Sequence, residues 1–267
     1  MAIAAIAAAL TTSYYLQTDQ LPIDGVVPDQ PLHSVAPWSG SVDVDNSTNM
    51  TDVTGQVPPG YLLYDNFAEK NDDIWTVPSY KPNSDFIDTT FVPSGVTFSD
   101  GNLVLKSSVD QHLGAEYKTK GKFLYGKYRA SMRVNQTPGT YLTFFLYTPE
   151  PGNHNEIDIE LIKSGNVTTA RLTTWVDMVK NERNFKLSFD PSEDYHLYGF
   201  DWHEDRVDFY IDDMEKPLWT STDHVPQGSC YLYFNSWVVT KVPAAHGDGE
   251  NTQYVDWVTV QPLDNNT

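Results

Sequence analysis

Glu156-Ile157-Asp158-Ile159-Glu160 alternates carboxylate and isoleucine at every step. Alternation with a period of two marks a β-strand, so Glu156, Asp158 and Glu160 share one face while Ile157, Ile159 and Leu161 share the other. The apolar face asks for a core. The acid face is harder to explain, because three carboxylates on one strand repel each other. Hydrolysis of a glycosidic bond has a use for them: one carboxylate attacks the anomeric carbon or activates water, and another protonates the leaving oxygen. A third acid between them helps hold the outer two in different protonation states. The plain alternative is a solvated edge strand, and the choice between the two depends on the rest of the chain.

The same two-residue texture recurs from residue 61 onward. Short alternating runs fall at 95–98, 103–106, 115–118, 125–134, 141–147, 156–162, 170–176, 195–202, 207–211, 231–237 and 254–260. Gly, Asn, Asp and Pro turns separate them, as at Ser99-Asp100-Gly101-Asn102. The clearest hairpin joins Tyr198–Trp202 to Val207–Ile211 through His203–Arg206, and Asp212-Asp213 makes the next turn. No segment keeps a helical period over three turns. The class predicted is all-β, a sandwich or barrel of antiparallel strands.

Strand parity then says which residues share the acid surface. It places Tyr141, Thr143, Phe145 and Tyr147 together, Tyr231, Tyr233, Asn235 and Trp237 together, and Thr173 with Trp175. Rings to stack on and amides to bond hydroxyls are what a sugar cleft requires. Each ring alone is equally an ordinary core residue. The combination with the acids favours the cleft.

Composition narrows the partners. The 267-residue chain carries 36 acids against 17 Lys and Arg, a net charge of −19 that repels nucleic acid and leaves a neutral polysaccharide unaffected. Trp, Tyr and Phe make up 13% of it, which suits a carbohydrate surface. Cys230 is the single cysteine, so no intrachain disulfide or cysteine metal cluster forms, and its apolar surroundings predict a buried thiol. No His pair has zinc-site spacing. Residues 17–60 are rich in Pro, Asp, Ser and Thr, and read as a disordered linker or arm. Residues 1–16 contain the apolar run Ala2–Leu10, which resembles the remnant of a secretory signal but lacks a basic flank. That run is too short to span a bilayer, and no transmembrane segment is expected. Export to the extracellular space or cell wall is expected, and sequons at Asn46, Asn49, Asn135, Asn166 and Asn265 are compatible with a glycoprotein.

The chain resembles glycoside hydrolase family 16, above all its lichenase-like endo-β-glucanases and its xyloglucan transglycosylase branch. The resemblance is carried by Ala115-Glu116-Tyr117-Lys118, Tyr125-Gly126-Lys127-Tyr128, Ser131-Met132, Phe144–Tyr147 and Glu156–Glu160. It continues through Tyr198–Trp202, Phe209–Asp212, Asn235-Ser236-Trp237 and Tyr254–Trp257, covering roughly residues 61–262. It implies a concanavalin A-like jelly-roll β-sandwich of two curved sheets, with a catalytic domain over 61–264. It implies catalysis by Glu156 as nucleophile and Glu160 as general acid/base, with Asp158 between them. Glu116, Lys118, Phe145, Tyr147, His154, Trp175, Asn235 and Trp237 fall on substrate-contacting positions. His154 and Asn155 precede the motif where lichenases carry a Trp, and Lys118 stands in place of an Arg, losing a bidentate fork. Asp256 matches a position that binds structural Ca²⁺ in lichenase-like members, and no cofactor is required for the reaction itself. A monomer acting on a β-glucan is expected. A transglycosylase using the same acids and a non-catalytic lectin of the same fold are the alternatives.

One geometric expectation follows from the motif. Cα atoms four apart on a strand are separated by about 13 Å, whereas the two acids of a retaining site work about 5–5.5 Å apart. The face that carries them must therefore be concave, and the outer acids must have the reach of Glu.

Overall fold

The structure, a computed structural model, describes residues 22–30, 59–150, 152–239 and 250–264. The described residues contain seventeen strands in two layers and one 3-10 turn at Pro93–Gly95. The first layer runs, in spatial order, β1 (Gly25–Val27), β12 (Val179–Leu187), β11 (Val167–Val176), β10 (Asn155–Ser164), β9 (Thr140–Tyr147), β16 (Cys230–Val238), β7 (Leu113–Phe123) and β3 (Trp75–Thr76). The second runs β15 (Trp219–Ser221), β14 (Val207–Ile211), β13 (His196–Trp202), β8 (Gly126–Asn135) and β17 (Glu250–Gln261). Beyond β17 lie β2 (Leu63–Asp65) and β6 (Asn102–Ser108), then β5 (Val96–Ser99). β4 (Thr90–Phe91) and β6 meet the first residues of β7, which links the layers.

The predicted alternation holds where it matters. Ile157, Ile159 and Leu161 are fully buried, and Leu142, Phe144, Leu146, Leu232 and Phe234 join them from the neighbouring strands. Tyr128, Met132, Phe200, Phe209 and Val258 face them from the second layer, where Phe144 meets Phe200 at 5.5 Å. The predicted turn at Ser99–Asn102 has Asp100 and Gly101 at φ 52° and 74°, the left-handed pair that a tight hairpin requires. The hairpin of β13 and β14 forms in the register that pairs Tyr198 with Ile211.

Two differences from the sequence reading have physical causes. β12 has no counterpart among the predicted runs, because Lys180, Glu182 and Asn184 on one face and Asn181 and Arg183 on the other hide its alternation. Within the stretch predicted as an arm, Gly25–Val27 is instead a strand, pairing in parallel with Phe185–Leu187. There Val27 is buried, and Asp24 accepts a hydrogen bond from the Asn184 backbone at 2.8 Å. Three residues of sheet are enough to hide one valine. The arm's residues 17–21 and 31–58, and all of 1–16, lie outside the described residues.

Phe234 is fully buried, stacked on Phe144 at 5.2 Å and within 6.2 Å of both Trp75 and Phe67. Phe234→Ala is expected to cost about 3–5 kcal/mol of stability. Urea unfolding checks this as a lower midpoint at unchanged slope.

Candidate active site

β10 lies inside the first layer, flanked by β9 and β11. Its buried isoleucines fix the register, since a slip of one residue would drive the carboxylates into the core. The acid face then falls into rows across the sheet. Glu156 stands between Tyr147 and Trp175, Asp158 between Phe145 and Thr173, and Glu160 between Thr143 and Arg171. Further along the rows, β16 adds Tyr231, Tyr233 and Asn235, and β7 adds Lys122, Lys118 and Glu116. This face floors a cleft of about 430 Å³ lined by all three acids of the motif.

The three acids are not equivalent. His154 Nε2 lies 2.9 Å from a carboxylate oxygen of Glu156, with the imidazole held between the Tyr147 and Trp175 rings. Asp158 is buried, and desolvation holds its carboxyl well above the usual range. The negative charges of Glu156 and Glu160 and its hydrogen bond to Glu156 push it further up, while a bond from Trp175 opposes them. These effects favour the protonated Asp158 carboxyl, the form that can donate a hydrogen bond to Glu156. Burial likewise raises Glu160 to about 7, helped by Glu156 and Glu182 and opposed by Arg171 and Lys180. Glu156 thus has the His154 ring nitrogen on one side and the Asp158 carboxyl on the other. Glu160 sits at the balance point of a proton donor and acceptor.

The other predicted residues divide into groups. Glu116, Lys118, Phe145, Tyr147, Asn235 and Trp237 all line the cleft. Glu116 is 4% exposed and accepts a hydrogen bond from the Tyr80 hydroxyl at 3.0 Å. Burial lifts it to about 7 against the pull of Tyr80, Asn235 and Lys118. Lys118 lies 4.3 Å over the Tyr231 ring and donates to the Tyr233 hydroxyl at 3.3 Å, and burial lowers its pKa. Asn235 accepts from the Thr143 hydroxyl. Phe145 stacks on Tyr233 at 4.7 Å. Trp237 stacks on Tyr141 at 4.3 Å with Phe86 edge-on, so it forms part of an aromatic wall. His154 and Trp175 act on the motif itself, the first through Glu156 and the second through Asp158.

Two parts of the site escaped the sequence reading. The segment from Pro78 to Phe91 borders the cleft and brings Tyr80 onto Glu116. It is irregular and Pro-rich, so no alternation marks a face, and an aromatic residue in a polar loop is its only signal. Arg171 sits opposite Glu160 with Nη1 3.6 Å from a carboxylate oxygen. The parity that placed Thr173 and Trp175 on this face also places Arg171.

Asp256 is the residue whose expected role the structure does not furnish. It stands at the bulge of β17 in the second layer, half-buried, with its carboxyl raised by that burial. Among the described residues no group of three His, Cys, Asp or Glu side chains could hold a metal ion, and this does not fit a carboxylate-rich calcium site. Cys230 is buried, with Sγ 3.1 Å from the Thr148 hydroxyl, and burial pushes its thiol up to about 12.

Comparison with known proteins agrees with this architecture. A sequence model of the glycosyl hydrolases family 16 matches residues 83–259. A β-glucanase of Brevibacillus brevis is 30% identical over 223 residues, which is 78% of this chain and 85% of the relative. Xyloglucan endotransglucosylase protein 6 of Diospyros kaki is 31% identical over 151 residues, 53% of this chain and 50% of its own length. Among solved structures, a prokaryotic β-1,3-1,4-glucanase (lichenase) from a mouse hindgut metagenome superposes with a TM-score of 0.68 at 26% identity. The match covers 75% of this chain and 99% of that one. With the fold, the acid strand and a family match over most of the sequence in agreement, the chain belongs to glycoside hydrolase family 16.

Proposed function

We propose that this chain is a retaining endo-β-glucanase that cuts internal bonds of a β-1,3-1,4- or β-1,3-glucan by double displacement. The observation that carries the assignment of roles is the unequal surroundings of Glu156 and Glu160. In the first step Glu160 gives its proton to the glycosidic oxygen while Glu156 attacks the anomeric carbon, forming a covalent glycosyl-enzyme. Esterification removes the charge of Glu156, which had favoured the protonated form of Glu160. Glu160 can then take a proton from water as that water attacks the same carbon and frees Glu156. The Asp158 carboxyl, whose protonated form burial favours, donates a hydrogen bond that orients the Glu156 carboxylate for attack. Glu116, Lys118, Asn235 and the rings around them bind the sugars flanking the cut. The chemistry requires no cofactor, and no step uses a metal.

We place the protein outside the cell, acting as a monomer. A polymeric substrate, the apolar run Ala2–Leu10 and the exposed sequons Asn135 and Asn166 support that location.

Incubation with barley β-glucan, laminarin and xyloglucan tests the reading. A rapid fall in viscosity with short oligosaccharides from either of the first two is the expected result. Chains redistributed in length from xyloglucan would instead mark a transglycosylase, as the Diospyros relative is named. Binding without products on all three would mark a lectin and overturn the assignment.

A further inference from the structure

Glu160 has one neighbour that the two-acid scheme does not use. Arg171 lies directly across from it on β11, side chain 6% exposed, with Nη1 3.6 Å from Glu160 Oε2. The guanidinium is fixed from several directions. Its Nε donates to Asn184 Oδ1 at 3.3 Å and lies 3.9 Å from Glu182, and its plane sits 5.8 Å from the Tyr141 ring. Glu182 in turn pairs with Lys180, so that pair is close to neutral and Arg171 keeps a net positive charge next to Glu160.

The surroundings of Glu160 show why a cation is needed there. On its own strand its neighbours on the same face are Asp158 and Glu156, on β9 it faces uncharged Thr143, and on β12 Asn184 lies beyond Arg171, with Glu182 beyond Thr173 and Lys180 beyond Trp175. On β16 and β7 the same row continues with Asn235 and Glu116. A carboxyl in that position, desolvated and among acids, would hold its proton more tightly without the guanidinium beside it. It would then remain an acid and become a slower base.

We propose that Arg171 is a positioning residue that keeps Glu160 able to ionise, and so serves mainly the second half of the reaction. This rests on Glu160 being the acid/base. In that half, water attacks the anomeric carbon and the bond to Glu156 breaks, its electron pair returning to the Glu156 carboxylate. The water's proton passes to Glu160. Arg171 stabilises the Glu160 carboxylate that must be present beforehand. In the first half Glu160 must be protonated, and there Arg171 gives no help.

The test separates the two halves with an aryl β-glucan oligosaccharide whose dinitrophenolate leaves without protonation. Arg171→Met should show a full initial burst of phenolate followed by a steady rate roughly tenfold lower than wild type. Azide, which needs no base, should restore the steady rate. The alkaline limb of kcat/KM on polymeric glucan should move up by about one pH unit, because removing a cation makes the acid weaker. Arg171→Lys should keep most of the wild-type behaviour. An unchanged steady rate and limb in a folded Arg171→Met would overturn the proposal, as would an equal loss in burst and steady rate that azide does not relieve. Glu160→Ala is run alongside: if it is not rescued by azide, the acid/base reading fails independently of Arg171.

Discussion

Glu156→Gln is expected to lower hydrolysis of the preferred glucan by at least ~10⁴-fold while leaving the fold intact. Gln fills the same volume, and the side chain it replaces lies in the cleft, outside the apolar contacts that hold β10. Stability should therefore shift by no more than about 1 kcal/mol. What is lost is the nucleophile, since a neutral amide does not form the covalent ester. The shorter Glu156→Ala allows a sharper readout. Azide can enter the vacated space and attack the anomeric carbon from the face the carboxylate used, with an aryl group leaving from the other. One displacement inverts the centre, so the product should be the α-glycosyl azide. A β-azide from this variant would mean that Glu156 and Glu160 have been assigned the wrong way round.

How much of this was legible beforehand can be traced residue by residue. The alternation Glu156–Glu160 was sufficient to orient β10, and parity alone placed Phe145, Tyr147, Asn235 and Trp237 on the same surface. These positions are readable because one face of each strand must be apolar, so a polar or aromatic exception on the other face stands out. Tyr80 was not readable, because its approach to Glu116 depends on the path of a loop without periodicity. β12 was hidden for the opposite reason: both of its faces carry polar side chains, one towards the cleft rows and one towards β15 of the second layer, where Asn181 donates to Ser221 and Arg183 lies over Trp219. The packing of Trp237 against Tyr141 was also beyond the sequence. Parity says which face a ring occupies and nothing about what covers it. The raised carboxyl of Glu160 required coordinates as well, since it comes first from burial, with Arg171 and Lys180 opposing and Glu156 and Glu182 adding to it.

Glu160→Ala should show a loss that depends on the leaving group, which no purely structural defect would produce. On glucan, whose departing sugar hydroxyl needs a proton, activity should fall by about 10³–10⁴-fold. On an aryl glycoside with a dinitrophenolate group the first turnover should survive nearly intact, because that group departs as an anion. The glycosyl-enzyme should then accumulate for want of a base, and azide should release it as the β-glycosyl azide after two inversions. The pH profile gives a second signature. With Glu160 raised to about 7 by burial, wild-type kcat/KM on glucan should decline above neutrality as the acid loses its proton, and this limb should vanish in the variant. The same displacement has a cost in stability, with its sign fixed by linkage. A carboxyl whose folded pKa lies above its unfolded value binds protons more tightly in the folded state. Its favourable contribution is complete below pH about 4.5 and is lost as the pH rises through about 7. Glu160 and Glu116 both behave this way, so the stability of Glu160→Ala relative to wild type should improve as the pH rises from about 4.5 through about 7. A difference in thermal midpoint that is the same at pH 4 and pH 8 would contradict that account. A relative gain at the higher pH, alongside lost glucan hydrolysis, would mean that the fold bears the strain of a desolvated acid because the reaction needs one.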